Sequence, residues 1–184
     1  LQKLILIAGP SGAGKTTVSE YLANKFDIPR VLTHTTRPIR PGESPEGSYH
    51  FETNDSFKKL HFFEHVKYGS YQYGSSREAL EKAWLNHDIV SLIVDIKGAA
   101  SYLAAINKKV YFLYITTSSK EMLAERLLKR GDEPHKIKER LSGSELNVLP
   151  DNLKKDAHIL INDNWQQTEK ELFTIVTSLR NLPN

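Results

Sequence analysis

The 184-residue chain has no cysteine, a single methionine and no long apolar run. Without cysteine there can be no disulfide, no thiolate zinc site and no thiol nucleophile. A reducing compartment fits that absence, and the chain is expected to be cytoplasmic. No stretch approaches the ~20 apolar residues that span a bilayer. The N-terminal KLILIAG is too short for a secretion signal and has no small-residue cleavage site. Since the first residue is Leu1, the numbering is expected to begin inside or just after the native start. An excess of one charge is also missing. The 25 Lys and Arg oppose 22 Asp and Glu, for a net charge of +3, too balanced for a general nucleic-acid binder. Any anionic ligand must be met by a local cluster. With 39% hydrophobic and 26% charged residues, the chain can bury a normal core, and intrinsic disorder is excluded.

No repeat or linker divides the sequence, so it reads as one continuous unit. Leu4–Ala8, Ile89–Val94, Val110–Ile115 and His158–Ile161 are continuous apolar runs, the pattern of strands buried on both faces. Helical spacing is predicted over 16–26, 76–86, 98–106, 119–130, 134–147 and 165–180. Strands alternating with helices imply an α/β fold with a parallel central sheet. The stretch from 31 to 75 differs, being rich in Gly, Pro and aromatics. Its short alternating segments (Ser48–Glu52, Phe62–Val66) predict a small, mostly antiparallel insert. Its aromatics suit either a minicore or a ligand site.

The most specific motif is Gly9-Pro10-Ser11-Gly12-Ala13-Gly14-Lys15-Thr16, which matches G-x-x-x-x-G-K-[ST] between a predicted strand and a predicted helix. Its glycines let backbone N–H groups turn inward around phosphate oxygens, and the helix N-terminus adds partial positive charge. Lys15 reaches the β- and γ-phosphates, and the Thr16 hydroxyl suits Mg²⁺. A tight turn alone would explain the glycines but not the Lys-Thr pair. Asp95, at the end of an apolar strand, is the expected second carboxylate of the magnesium shell. These features indicate a nucleoside-triphosphate-binding phosphotransferase or NTPase without naming the acceptor.

The acceptor signal lies in Thr33-His34-Thr35-Thr36-Arg37-Pro38-Ile39-Arg40-Pro41-Gly42-Glu43. Two arginines three apart in a Pro/Gly-constrained loop form an anion fork. Tyr49-His50-Phe51, Phe62-Phe63-Glu64 and Tyr71-Gln72-Tyr73-Gly74-Ser75 follow. With these motifs in this order, the chain resembles guanylate kinase over almost its whole length. The resemblance implies the three-layer P-loop NTPase fold. Its core would comprise 1–30 and 76–184, with a helical lid over about 126–140 and an acceptor-binding insert over 31–75.

By the same resemblance, Arg37, Arg40, Tyr49 and Tyr73 would hold the phosphate of GMP. Thr33, Glu64 and Ser75 would read the guanine, and Glu43 would support the arginine loop. Gly9 to Thr16 and Thr17 would bind ATP. Arg126, Arg130 and Arg140 would clamp the phosphates, joining Lys15 and Arg37 as catalytic residues, and Asn162 would lie near the adenine. Thr16 and Asp95 would serve Mg²⁺. The implied reaction is ATP-dependent phosphorylation of GMP and dGMP by a monomer or homodimer without nucleic-acid or membrane partners. Two departures stand out. The family pattern D-[ILV]-D-x-Q-G meets Asp95-Ile96-Lys97-Gly98, expected to be two residues and one acid short. The lid is about one residue shorter after Arg130-Gly131. These keep open a kinase for another small phosphorylated acceptor. An interaction module is the remaining alternative, disfavoured by the complete phosphate cradle.

Overall fold

The computed structural model describes residues 1–45, 47–143 and 146–183. In chain order these form β1 (Lys3–Ala8), α1 (Lys15–Phe26), β2 (Thr33–Thr35), β3 (Tyr49–Phe51), α2 (Asn54–Phe57), β4 (Phe62–Tyr68), β5 (Tyr71–Ser76) and α3 (Arg77–Trp84). There follow β6 (Ile89–Ile93), α4 (Ile96–Ile106), β7 (Val110–Thr116), α5 (Lys120–Arg130), α6 (Pro134–Ser142), α7 (Asp151–Lys154), β8 (Ala157–Ile161) and α8 (Trp165–Arg180).

The four predicted apolar runs form one parallel sheet in the order β6-β1-β7-β8. Parallel pairing requires crossovers, and the helices that supply them cover both faces. Strand periodicity divides β1 between those faces. Leu4, Leu6 and Ala8 pack with Leu80, Tyr102 and Phe112 on one side. Ile5 and Ile7 pack with Leu22, Leu113 and Leu172 on the other. The result is the expected three-layer α/β architecture. Since Leu6 and Ile7 are fully buried, truncating either to alanine would cost about 2–5 kcal/mol.

The insert forms a second sheet in the order β3-β2-β5-β4. It is antiparallel except for the β2–β3 pair, which is parallel. The chain leaves the main sheet at Val31, whose N–H still donates to the Ser91 carbonyl at 2.8 Å. It rejoins at Ser76, whose Oγ accepts from the Ala79 N–H at 3.1 Å and caps α3. Ser76 also meets the buried His34 ring at 2.7 Å, and His34 in turn meets Glu52 at 2.8 Å. This polar chain ties the insert sheet to the first turn of α3.

Several helix ends differ from the sequence reading; the helix read as 76–86 runs Arg77–Trp84, and those read as 16–26 and 119–130 begin at Lys15 and Lys120. The helix read as 98–106 starts two residues earlier, because Asp95 caps it. The helix read as 134–147 ends at Ser142, and residues 144 and 145 lie outside the described residues. Strands β2 and β5 escape the sequence reading because their Thr, Gly and Ser residues carry little apolar alternation.

Candidate active site

The cradle leaves β1 and enters α1 within a few residues. Gly14 takes φ 99°, a left-handed value that glycine adopts without steric penalty. A Cβ there would also collide with the Asn162 amide. No side chain caps α1, so its first N–H groups remain available to an anion. Lys15 Nζ donates to the carbonyls of Gly9 and Pro10 at 2.8 and 2.9 Å. The Thr16 and Thr17 side chains are exposed. Ser11, Lys15, Thr16, Arg126 and Arg130 border one hollow of about 700 Å³.

Asn162 and Arg126 reach this hollow as braces. Asn162 Nδ2 donates to the Ala13 carbonyl at 2.8 Å, and its Oδ1 accepts from Thr168 Oγ1 at 2.8 Å. Both ends of the amide are thus engaged by the protein, and the side chain is buried. Arg126 donates to the Asn162 carbonyl at 2.6 Å and to the Gly12 carbonyl at 3.4 Å. Arg130, expected on the same helical face, turns instead to Asp132, with bonds of 2.8 and 2.6 Å. Arg140 donates to the same carboxylate at 2.7 Å. Asp132 therefore bridges α5 and α6, and its pKa is lowered, first of all by the Arg130 bond.

On the insert, Arg37 is buried and forked onto Glu43, with bonds of 2.9 and 2.8 Å. A third bond runs to the Pro38 carbonyl at 2.8 Å. The guanidinium also lies 5.6 and 5.7 Å from the Tyr49 and Phe51 ring centres. Glu43 accepts from the Arg40 N–H at 2.8 Å, closing the loop on itself. These bonds, led by that from Arg37, pull the Glu43 pKa down to about 2. The Arg40 side chain is exposed, while Tyr49 and Tyr73 meet edge to face at 6.1 Å. Thr33, Tyr49, Glu43 and Thr16 line a second hollow of about 410 Å³, which joins the insert to the cradle.

Glu64 and Ser75 face each other across β4 and β5, and Ser75 Oγ donates to Glu64 Oε1 at 3.3 Å. Glu64 lies directly on the start of α4. A Cβ at Gly98 would sit 2.9 Å from Glu64 Oε2, so any larger residue there would push the carboxylate from this position. Burial raises the Glu64 pKa, and the charge of Asp95 raises it further.

Asp95, expected to serve Mg²⁺, also has a structural partner. Its Oδ1 accepts from the Gly98 N–H at 2.7 Å and caps α4, and the carboxylate it perturbs is Glu64. Its segment is not short. Counted back from Gly98, the pattern D-[ILV]-D-x-Q-G falls on Ile93 to Gly98 without a gap, because β6 runs unbroken toward the α4 cap. The expected deletion is a pair of substitutions, with Ile93 at the first acid and Lys97 at the glutamine. Ile93 lines the second hollow beside Thr16.

Two contributors escape the sequence reading. Asn147 adopts φ 46°, accepts from the Ile96 N–H at 3.2 Å and donates to the Gly9 carbonyl at 3.4 Å. It thereby links α4 to the cradle. Asp132 is the other. An acid one residue beyond the Arg130-Gly131 pair was the available signal, but its double bridge depends on how α5 and α6 pack.

The arrangement joins a glycine-rich cradle at a helix N-terminus to an arginine loop and a half-buried carboxylate. A family model described as guanylate kinase matches residues 1–179. The chain is 36% identical to a guanylate kinase of Paraburkholderia xenovorans, covering 96% of this chain and 80% of that protein. It is 35% identical to one from Clostridium perfringens, covering 94% and 82%. Among solved structures, a guanylate kinase from Anaplasma phagocytophilum shares the fold with a TM-score of 0.62 at 23% identity, covering 98% of this chain and 88% of that one. Sequence match and site layout lead to one assignment: the chain belongs to the guanylate kinase family.

Proposed function

We propose that this chain transfers the γ-phosphoryl group of ATP to GMP, with Arg37, Arg40, Tyr49 and Tyr73 on the acceptor phosphate and Glu64, Ser75 and Thr33 on the base. As a member of its family it is a nucleoside monophosphate kinase. The observation that carries the acceptor assignment is the Glu64–Ser75 pair, joined at 3.3 Å on a sheet that also presents Tyr49 and Tyr73. Guanine offers two adjacent donors, N1–H and the N2 amine, and one ionised carboxylate accepts both. Adenine offers a bare acceptor at the same edge and would leave the carboxylate unpaired.

Phosphoryl transfer asks the protein for positioning and positive charge more than for covalent chemistry. Here Lys15 and the cradle N–H groups take the donor phosphates. Arg126 holds the cradle through Gly12 and Asn162, and Arg130 and Arg140 complete the charge when the lid closes. Arg37 keeps its fork on Glu43, so the loop meets the acceptor phosphate preorganised. Asp95 also supports the base side, next to Glu64.

The donor set fits Mg²⁺. Among the described residues no cluster of three acidic or histidine side chains could hold a metal, but Mg²⁺ characteristically takes few protein ligands, with waters and substrate phosphates completing the shell. Thr16 would supply the hydroxyl. When bound, the ion neutralises charge on the β- and γ-phosphates. No helix among the described residues is long and apolar enough to cross a membrane, and a cytoplasmic monomer or homodimer remains part of this proposal.

A coupled assay over GMP, dGMP, AMP, UMP, CMP and sugar phosphates tests the reading. Turnover confined to GMP and dGMP is expected, and equal use of AMP would overturn the guanine assignment. Another acceptor is not favoured, since the curated relatives are named guanylate kinases. An interaction module does not account for the intact Lys-Thr cradle.

A further inference from the structure

Helix α4 carries a hydroxyl with no evident structural purpose. Gly98 and Tyr102 are four apart and share one helical face, the face turned toward Glu64. The Tyr102 side chain is fully buried, and its ring stacks on Phe63 with centroids 4.2 Å apart and planes 27° off parallel. Phe63 sits at the β-bulge between Phe62 and Glu64. Such a bulge redirects a side chain, and here Phe63 lies between the Tyr102 ring and the Arg77 guanidinium, 4.7 Å from the latter. Packing alone would be served by phenylalanine. Yet Tyr102 places a buried hydroxyl in this layer, the one buried side-chain polar atom among the described residues that has no hydrogen-bond partner. Buried hydroxyls are almost always paired, so this one calls for a partner in another state of the site.

The Ser75 side chain lies within hydrogen-bonding reach of it without completing a well-formed bond, and the charges of Glu64 and Arg77 act on it from nearby. Arg77 has no acceptor to offer. Glu64 and Ser75 form the base-reading pair, and their mutual bond is slack at 3.3 Å. Ser75 is itself buried. Its hydroxyl has one proton to give and can accept another, so it is suited to stand between Tyr102 and Glu64. We propose that Tyr102 is a positioning residue for the base reader: on acceptor binding its hydroxyl donates to Ser75 Oγ, which directs the Ser75 proton to Glu64 Oε1. Two outer lone pairs of Glu64 then face the two guanine donors. The inference rests on the assignment of Glu64 and Ser75 to guanine and extends it to a second layer of the site.

Tyr102→Phe tests it, since the ring stack on Phe63 is kept and only one oxygen is lost. The expected result is a KM for GMP raised about fivefold to tenfold, with kcat within about twofold and the KM for ATP unchanged. AMP turnover stays as in the wild type, so discrimination falls by the same factor. Thermal melting stays level or rises, which separates the effect from unfolding. Ser75→Ala breaks the relay at its middle and gives the same KM signature. The double variant is no worse than Ser75→Ala alone, because the relay is already cut. A Tyr102→Phe variant with wild-type KM for GMP overturns the inference, as does equal loss toward GMP and AMP or full additivity in the double variant. If Tyr102→Phe does not fold, a Ser75→Ala enzyme with unchanged KM overturns it alone. A wild type that uses AMP as readily as GMP overturns the guanine reading itself, whatever Tyr102 does.

Discussion

Asn162 donates from its side-chain amide to the carbonyl of Ala13 at 2.8 Å, tying the end of β8 to the phosphate cradle. The same amide accepts from Thr168 at the start of α8. Removing it leaves two buried polar groups without partners, which costs about 1–3 kcal/mol. Asn162→Ala should therefore lower the melting temperature and raise the KM for ATP while leaving the KM for GMP nearly unchanged. Thermal denaturation with steady-state kinetics on both substrates checks this. A variant of wild-type stability with weakened adenine selectivity would return Asn162 to an adenine contact.

Lys15→Ala should abolish turnover and keep the fold. Its ammonium bonds to the carbonyls of Gly9 and Pro10 in the loop, and Lys15 is absent from both core clusters. Residual kcat above about a tenth of wild type would remove Lys15 from the catalytic centre. Circular dichroism establishes that the variant is folded.

The Arg37–Glu43 fork should outlast most acidification. With its folded pKa at about 2, below the ordinary 4.5, Glu43 contributes its stabilising effect fully above the ordinary value. That effect is lost as pH falls through about 2. Carboxyl chemical shifts followed by NMR should show Glu43 titrating last among the glutamates. Glu43→Gln should loosen the loop and raise the KM for GMP severalfold, and Arg37→Lys should do the same because the bidentate geometry is lost.

The lid and acceptor-loop arginines should separate by kinetic phenotype. Arg130→Ala should lower kcat by about a hundredfold or more, since its contact strengthens as charge moves in the transition state. Arg40→Ala, on the exposed acceptor loop, should chiefly raise the KM for GMP. If Arg130→Ala changed only the KM for GMP, Arg130 would have no lid role.

Glu64 should impose a pH signature on base choice. Burial and the nearby Asp95 charge raise its pKa, so it takes up a proton at higher pH than an ordinary glutamate. As pH falls, the KM for GMP should rise before acid damages the rest of the site, and the residual AMP turnover should not share that limb. Glu64→Ala should lose at least tenfold in kcat/KM for GMP and abolish the limb. Equal loss toward both bases would make Glu64 structural.

The cradle and the parallel core were legible in the chain because their signals are local. Gly9 to Thr16 is a contiguous motif, and continuous Ile, Leu and Val runs have no stable place except a doubly covered sheet. The acceptor motifs were legible only through family resemblance, as Arg37, Glu64 and Ser75 lie far apart in sequence and none has a local pattern that names a base. Tertiary structure alone decided where four polar side chains are spent. Asp95 caps α4 and bears on Glu64, Asn162 braces Ala13, Arg126 holds the cradle from outside, and Asp132 joins Arg130 to Arg140. Asn162 and Arg126 meet partners up to 149 and 114 residues away, whereas Asp95 and Asp132 bond within eight residues and depend on where their helices begin and how they pack. For the long-range pairs, a polar side chain's role is set by the partners that packing brings to it, which spacing along the sequence does not encode. The Tyr102 hydroxyl is the extreme case, since in sequence it is one aromatic on an apolar helix face, and only tertiary packing brings it near Ser75 and Glu64.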